Sequence, residues 1–214
     1  MSARPRRGPV RRASRCAAVV ALSSALAVVT TGASAGQDAP KPAPDPPKPP
    51  DGLAAYERLA RPTERHRVLD ALAGTWSVEG TTYGARGEVM KATGTSENTW
   101  ILGGRFLECR LRTTVGESSV ESVTTLGFDV RSGLYQSVAL ATIRTHMVFV
   151  QGSYYGPSRT FVLRGQDVDA ATGARYVRRE MIRVEAADRY VVEVFAEVPG
   201  RPPIKAFSGV YTRH

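Results

Sequence analysis

The sequence predicts an all-β fold: a single antiparallel up-and-down β-barrel of ten strands, with a short N-terminal helix plugging one end. Three observations predict it. Short runs of alternating apolar and polar side chains centre on residues 76–82, 89–101, 105–115, 119–128, 134–142, 147–155, 160–165, 175–184, 189–198 and 204–213. Turn residues separate these runs at near-regular spacing, and almost nothing helical interrupts them. Period-two patterning of this kind belongs to antiparallel barrels and sandwiches, and closing the sheet removes its edges.

The chain opens with a segment of a different kind. Arg4, Arg6, Arg7, Arg11, Arg12 and Arg15 stand without an acid, an apolar run covers residues 16–29, and Ala33-Ser34-Ala35 follows. That order is the three-part secretory signal. The apolar run is shorter than the ~20 residues of a spanning helix. Cys16 precedes the run, the wrong side for a lipid-modified cysteine, and Arg11-Arg12 matches the twin-arginine pattern poorly. Residues 1–35 are thus expected to be a cleaved signal peptide. The mature chain is then expected to start at Gly36, to be exported to periplasm or medium by the general secretory route, with the twin-arginine route as the minority alternative, and to have no stable membrane insertion after cleavage.

Cleavage also changes the charge. The whole chain is +9, with 29 basic and 20 acidic residues, and six of the basic ones leave with the signal. The remaining 23 basic residues exceed the acidic ones by three. No basic cluster interleaved with aromatics survives, so no nucleic-acid partner is expected. Residues 36–52 hold seven prolines and no large apolar side chain. A segment of this composition is a disordered, extended linker. The barrel domain with its helical cap takes residues 53–214.

Within the cap, Leu53, Tyr56 and Leu59 share one helical face. Pro62 interrupts, and Thr63, Glu64 and His66 start a second piece toward Leu69 and Leu72. Val68, Leu69 and Leu72 are expected to face into the barrel. Gly74-Thr75-Trp76 then opens the first strand, as the Gly-x-Trp of lipocalin-type barrels does. In a closed meander the last strand neighbours the first, so Arg213 is placed to cap the Trp76 indole by cation–π contact. Gly103-Gly104 suits a two-residue hairpin, while residues 129–133 (DVRSG) and 169–173 (DAATG) suit longer ones. Asp167, Asp169 and Gly173 faintly resemble a calcium loop, but the further acids and closing glutamate are missing. Cys109 is the single cysteine left after cleavage. It shares a face with Leu107 and Leu111 and reads as a buried small hydrophobe, not a nucleophile.

Catalytic and cofactor signatures are absent: no phosphate-cradling loop, no G-x-S-x-G and no H-E-x-x-H. His66, His146 and His214 show no metal-ligand spacing, so no metal or cofactor is assigned. His146 lies in the turn after the fifth strand, beside Arg144 and Thr145, at a barrel mouth. An enzyme reading would pair His146 with Glu108 or Glu180. A filled barrel without ligand, acting as a structural or partner-binding module, is a further alternative. The leading reading is a small hydrophobic or amphipathic ligand. Arg144, Thr145 and His146 would contact it at the rim, and Trp100, Tyr135 and Phe149 would line or border the interior. Ala139, Ala141, Gly152 and Gly209 would leave the space, and Arg144 would favour a carboxylate or phosphate head group.

The ordered motifs HRVLDALAGTWSVEG, NTWILGGRFLE, TTLGFDVRSGLYQSV, TIRTHMVFVQGSY and GVYTR add a resemblance. Over residues 63–213 the chain resembles the uncharacterised bacterial family called domain of unknown function 1579. The resemblance implies a lipocalin-like or fatty-acid-binding-protein-like barrel and no established activity. Where similar sequences often carry a fifth-strand tryptophan, this chain has Ala139-Leu140-Ala141, which implies a larger or a repacked cavity.

Overall fold

Ten strands follow the alternating runs: β1 Gly74–Tyr83, β2 Val89–Ile101, β3 Phe106–Val115, β4 Ser118–Asp129, β5 Leu134–Ala141, β6 Val148–Tyr155, β7 Thr160–Val168, β8 Arg175–Ala186, β9 Arg189–Glu197 and β10 Ile204–Arg213. Each pairs antiparallel with its sequence neighbours. β10 returns to pair with β1 from Trp76↔Arg213 to Thr82↔Phe207, which closes the barrel. This computed structural model describes residues 52–84, 87–169 and 172–214. The signal peptide, its cleavage before Gly36 and all of the proline-rich linker but Gly52 lie outside the described residues.

Two helical pieces and a turn precede the barrel: α1 Gly52–Leu59, α2 Glu64–Arg67 and a 3-10 helix Val68–Leu72. The second piece is the plug. Leu69 and Leu72 are fully buried and Val68 and Ala71 pack beside them. By contrast, Tyr56 and Leu59 of α1 are exposed and cover no core. Thr63 starts the plug: its backbone N–H donates to His66 Nδ1 at 3.0 Å, and the buried His66 ring stands edge-on to Phe128.

The strands' inward face is uneven along the barrel axis. At the plugged end, large rings interlock. Trp76 meets Tyr190 at 4.6 Å, Tyr190 stacks on Tyr211 at 4.4 Å, and Phe161 contacts both Tyr135 and Tyr154. Such offset and edge-to-face pairs add to the burial of their apolar area. The carbonyl of Leu72 accepts from Trp76 Nε1 at 3.0 Å and from Asn98 Nδ2 at 2.7 Å, so the end of the plug is bonded to β1 and β2. Arg213 completes this end. Its guanidinium lies 4.2 Å from the Trp76 ring and donates to the carbonyls of Ala73 and Ala187. Gly74, at φ +121, is the position where an added Cβ would strike that guanidinium, which gives the Gly-x-Trp spacing a steric reason.

Toward the other end, inward residues shrink to Ala92, Thr113, Ser122, Thr124, Ala139 and Ala141, and the barrel is open. Two local expectations change. Instead of a two-residue hairpin at Gly103-Gly104, residues 102–105 form a four-residue turn with positive φ at Leu102, Gly103 and Gly104. Strand β7 runs on to Val168, three residues beyond the alternating run, which makes Asp167 a buried strand residue and not part of a loop. At the 169–173 connection Asp169 makes Asx-type bonds. Gly173 N–H donates to the Asp169 carbonyl, and Thr172 N–H donates to Asp169 Oδ1 at 2.7 Å.

Candidate functional site

The open half of the barrel encloses a cavity of about 580 Å³. Its wall is chiefly apolar: Leu111, Val120, Leu126, Ile182, Val192 and Val194 alternate with small residues from β2, β4 and β5. Register explains the space. Ala139 pairs with Thr124, and Ala141 with Ser122, so small side chains face each other across two strands. A bulge between Lys205 and Phe207 in β10 lets the consecutive Ala206 and Phe207 both reach the cavity. The mouth lies at the β5–β6 turn, where Ile143 is exposed yet lines the cavity.

Charged groups are concentrated on one side. Arg144, from the β5–β6 turn, lines the cavity together with Arg178 and Glu180 of β8. Arg178 Nε donates to Glu180 Oε1 at 2.6 Å, and its Nη1 lies 3.7 Å from Asp167 Oδ2. Burial works against the Arg178 cation, but Glu180, Tyr176 and Asp167 together outweigh it and hold the guanidinium above its ordinary pKa. Asp167 is enclosed: its side chain is 3% exposed. It accepts from Val168 N–H at 2.8 Å, Tyr176 O–H at 2.8 Å and the His146 ring at 3.0 Å. Burial alone would raise Asp167. The hydrogen bonds win and hold its carboxyl below the usual range. Tyr176 is pushed up, first by burial and then by its bond to that carboxylate.

Of the six proposed ligand contacts, only Arg144 lines the cavity. Thr145 is exposed at the rim, and His146 is turned onto Asp167. Trp100 donates to Asp70 at 2.9 Å beside the plug, and Tyr135 donates to the Arg65 carbonyl at 2.8 Å, also at the plugged end. Phe149 points outward, because Val148 and Val150 take the inward positions of β6. The histidine–carboxylate pairing with Glu108 or Glu180 is not formed either. Glu108 is bound by Arg110 and Glu180 by Arg178, while His146 meets Asp167.

Cys109 lines the cavity, with its thiol pushed up to about 12 by burial and then by the Glu108 charge. A thiol so protonated is a poor nucleophile. Among the described residues, no three His, Cys, Asp or Glu side chains are grouped to hold a metal. The remaining histidine, His214, meets Ser77 at 2.8 Å on β1. Asp167 and Arg178 were missed in the sequence because charged residues ordinarily face outward. The available signal was their phase: Asp167 continues the inward series of Phe161 and Leu163, and Arg178 that of Ile182 and Val184.

Comparison with known families matches residues 61–213 to the model of "Protein of unknown function (DUF1579)". The chain belongs to this family. No match is found among the curated proteins. Among solved structures, Rv2717c from M. tuberculosis is similar with a TM-score of 0.56 at 15% identity, covering 72% of this chain and 99% of that one. That likeness shows the barrel fold. The phycobiliprotein lyase CPES from Guillardia theta gives a TM-score of 0.49 at 10% identity, covering 74% of this chain and 96% of its own. A de novo designed fluorescence-activating β-barrel gives 0.38 at 14% identity, covering 69% and 97%.

Proposed function

We propose that this protein is an exported binding barrel that takes one small, partly apolar molecule into its cavity. The cavity carries the reading. Its volume of about 580 Å³ falls within the roughly 300–1,000 Å³ of small-molecule sites, and its wall is chiefly apolar with charged groups on one side. Arg144 is the polar contact at the mouth, with Thr145 and His146 at the rim beside it.

Nile red, an uncharged apolar dye, tests the cavity directly. Saturable binding with a blue-shifted emission is expected. Ala141→Phe, which fills the space opposite Ser122, should weaken the binding at least about tenfold while leaving the fold intact, as a change of a few methylenes' worth of space does. Absence of saturable binding, or indifference to Ala141→Phe, overturns the cavity reading. Export rests on the arginine-rich start, the apolar run of residues 16–29 and the Ala33-Ser34-Ala35 pattern. The intact mass of secreted protein should begin at Gly36, and retention of residues 16–29 would mean an anchor instead.

A further inference from the structure

We infer that the cavity's ligand is a monoanionic amphiphile whose carboxylate-type head group is taken by Arg144 at the mouth while its apolar tail fills the barrel. The inference rests on the cavity reading and adds the chemical class of the ligand. Arg144 lines the cavity and is only partly exposed, yet among the described residues its guanidinium has no hydrogen-bond or ion-pair partner. A guanidinium presents a planar fork of donors that matches a carboxylate. The charged groups beside it are committed to one another. Arg178 is held by Glu180 and Asp167, and Tyr176 and His146 are held by Asp167. Arg144 is therefore the cation left over for an incoming anion.

The surrounding charges also limit the charge on the ligand. Arg178 faces two carboxylates, so those three groups together carry one negative charge, and Arg144 brings the cluster to neutrality. One ligand anion beside Arg144 offsets the Arg178 charge that acts against the Arg144 guanidinium. That repulsion, after burial, is what lowers Arg144 from its ordinary pKa. A second negative charge on the same head group would meet Asp167 and Glu180 with no free cation opposite it. A carboxylate therefore suits the site better than a phosphate dianion. The tail follows from the wall beyond Arg144, which is chiefly apolar, with Leu111, Val120, Ile182 and Val192 facing the cavity among a few hydroxyls.

Displacement of Nile red at about pH 8 separates the two levels of this reading, since a carboxylic acid is ionised there. Decanoate should compete about tenfold better than decanol, the worth of a charge-assisted hydrogen bond over a neutral one. Decyl phosphate should compete no better than decanoate. Arg144→Gln should bring decanoate and decanol to equal potency when each is referred to Nile red's own affinity for that variant, and Arg144→Lys should restore part of the difference. If decanoate and decanol compete equally in the wild type, the head-group inference is wrong while the cavity stands. A preference that survives Arg144→Gln overturns the assignment to that residue, and a decyl phosphate advantage overturns the single-charge rule. If Nile red itself does not bind, the cavity reading falls and this inference with it.

Discussion

Single residues at the plugged end show how the sequence uses a few polar atoms to fix apolar packing. His66 is buried, takes the Thr63 N–H on Nδ1 and stands against Phe128. Burial first, and then the positive charge of Arg105, push its pKa below the ordinary value. The unfolded chain therefore binds a proton more readily than the folded one. Stability contributed by neutral His66 is full above the ordinary histidine value of ~6.5 and is lost as pH falls through and below it. Asp167, held below the usual carboxylate range, keeps its charge through that window and does not confuse the reading. Urea midpoints taken at about pH 7.5 and about pH 5 should fall in the wild type and fall less in His66→Gln. Parallel losses in the two proteins would show that other groups carry the acid sensitivity.

Elements were legible in proportion to how cleanly their two faces differ. β1 alternates Trp76 and Val78 inward with exposed Glu79, and β8 alternates Glu180, Ile182 and Val184 inward with exposed Arg183 and Glu185, so both were found with their ends nearly right. β6 is apolar on both faces. Met147 and Phe149 compete with Val148 and Val150 for the interior, the valines win, and the larger pair stays exposed. That is why sequence pattern alone places Phe149 at a cavity that it does not face. β7 failed for the opposite reason, since Gly165 and Asp167 interrupt its apolar series although the strand continues through them. The site inherits both errors. Arg144 was identified because a turn beside a barrel mouth is a position that sequence can specify. The Asp167–Arg178–Glu180 cluster behind it depends on three charged side chains facing inward, against the usual direction. Trp100 and Tyr135 were read by type as apolar lining, and the structure instead spends their polar atoms on Asp70 and the Arg65 carbonyl.

Across the whole molecule, a barrel built as a meander is closed by its most distant strands, so its integrity rests on the β1–β10 seam. The seam joins two kinds of interaction at one point. Trp76 is fully buried, bonded to the Leu72 carbonyl and packed edge-on against Tyr190. Arg213 is exposed and covers the same indole from outside while bonding Ala73 and Ala187. Removing the first leaves a hole where β1, β9 and the plug meet. Removing the second exposes one face of a ring that stays packed on the other. Trp76→Ala should therefore cost ~3–5 kcal/mol, the range of a large aromatic lost from a core. Arg213→Ala should cost about 1 kcal/mol, the scale of a partly exposed cation–π contact. Because both changes act on one seam, the double variant should cost less than the two single losses added together, since without the indole the guanidinium has no ring to cover. Chemical denaturation of the four proteins measures this. Strict additivity would mean that Arg213 acts through its carbonyl bonds alone and that the cation–π contact contributes nothing to closure.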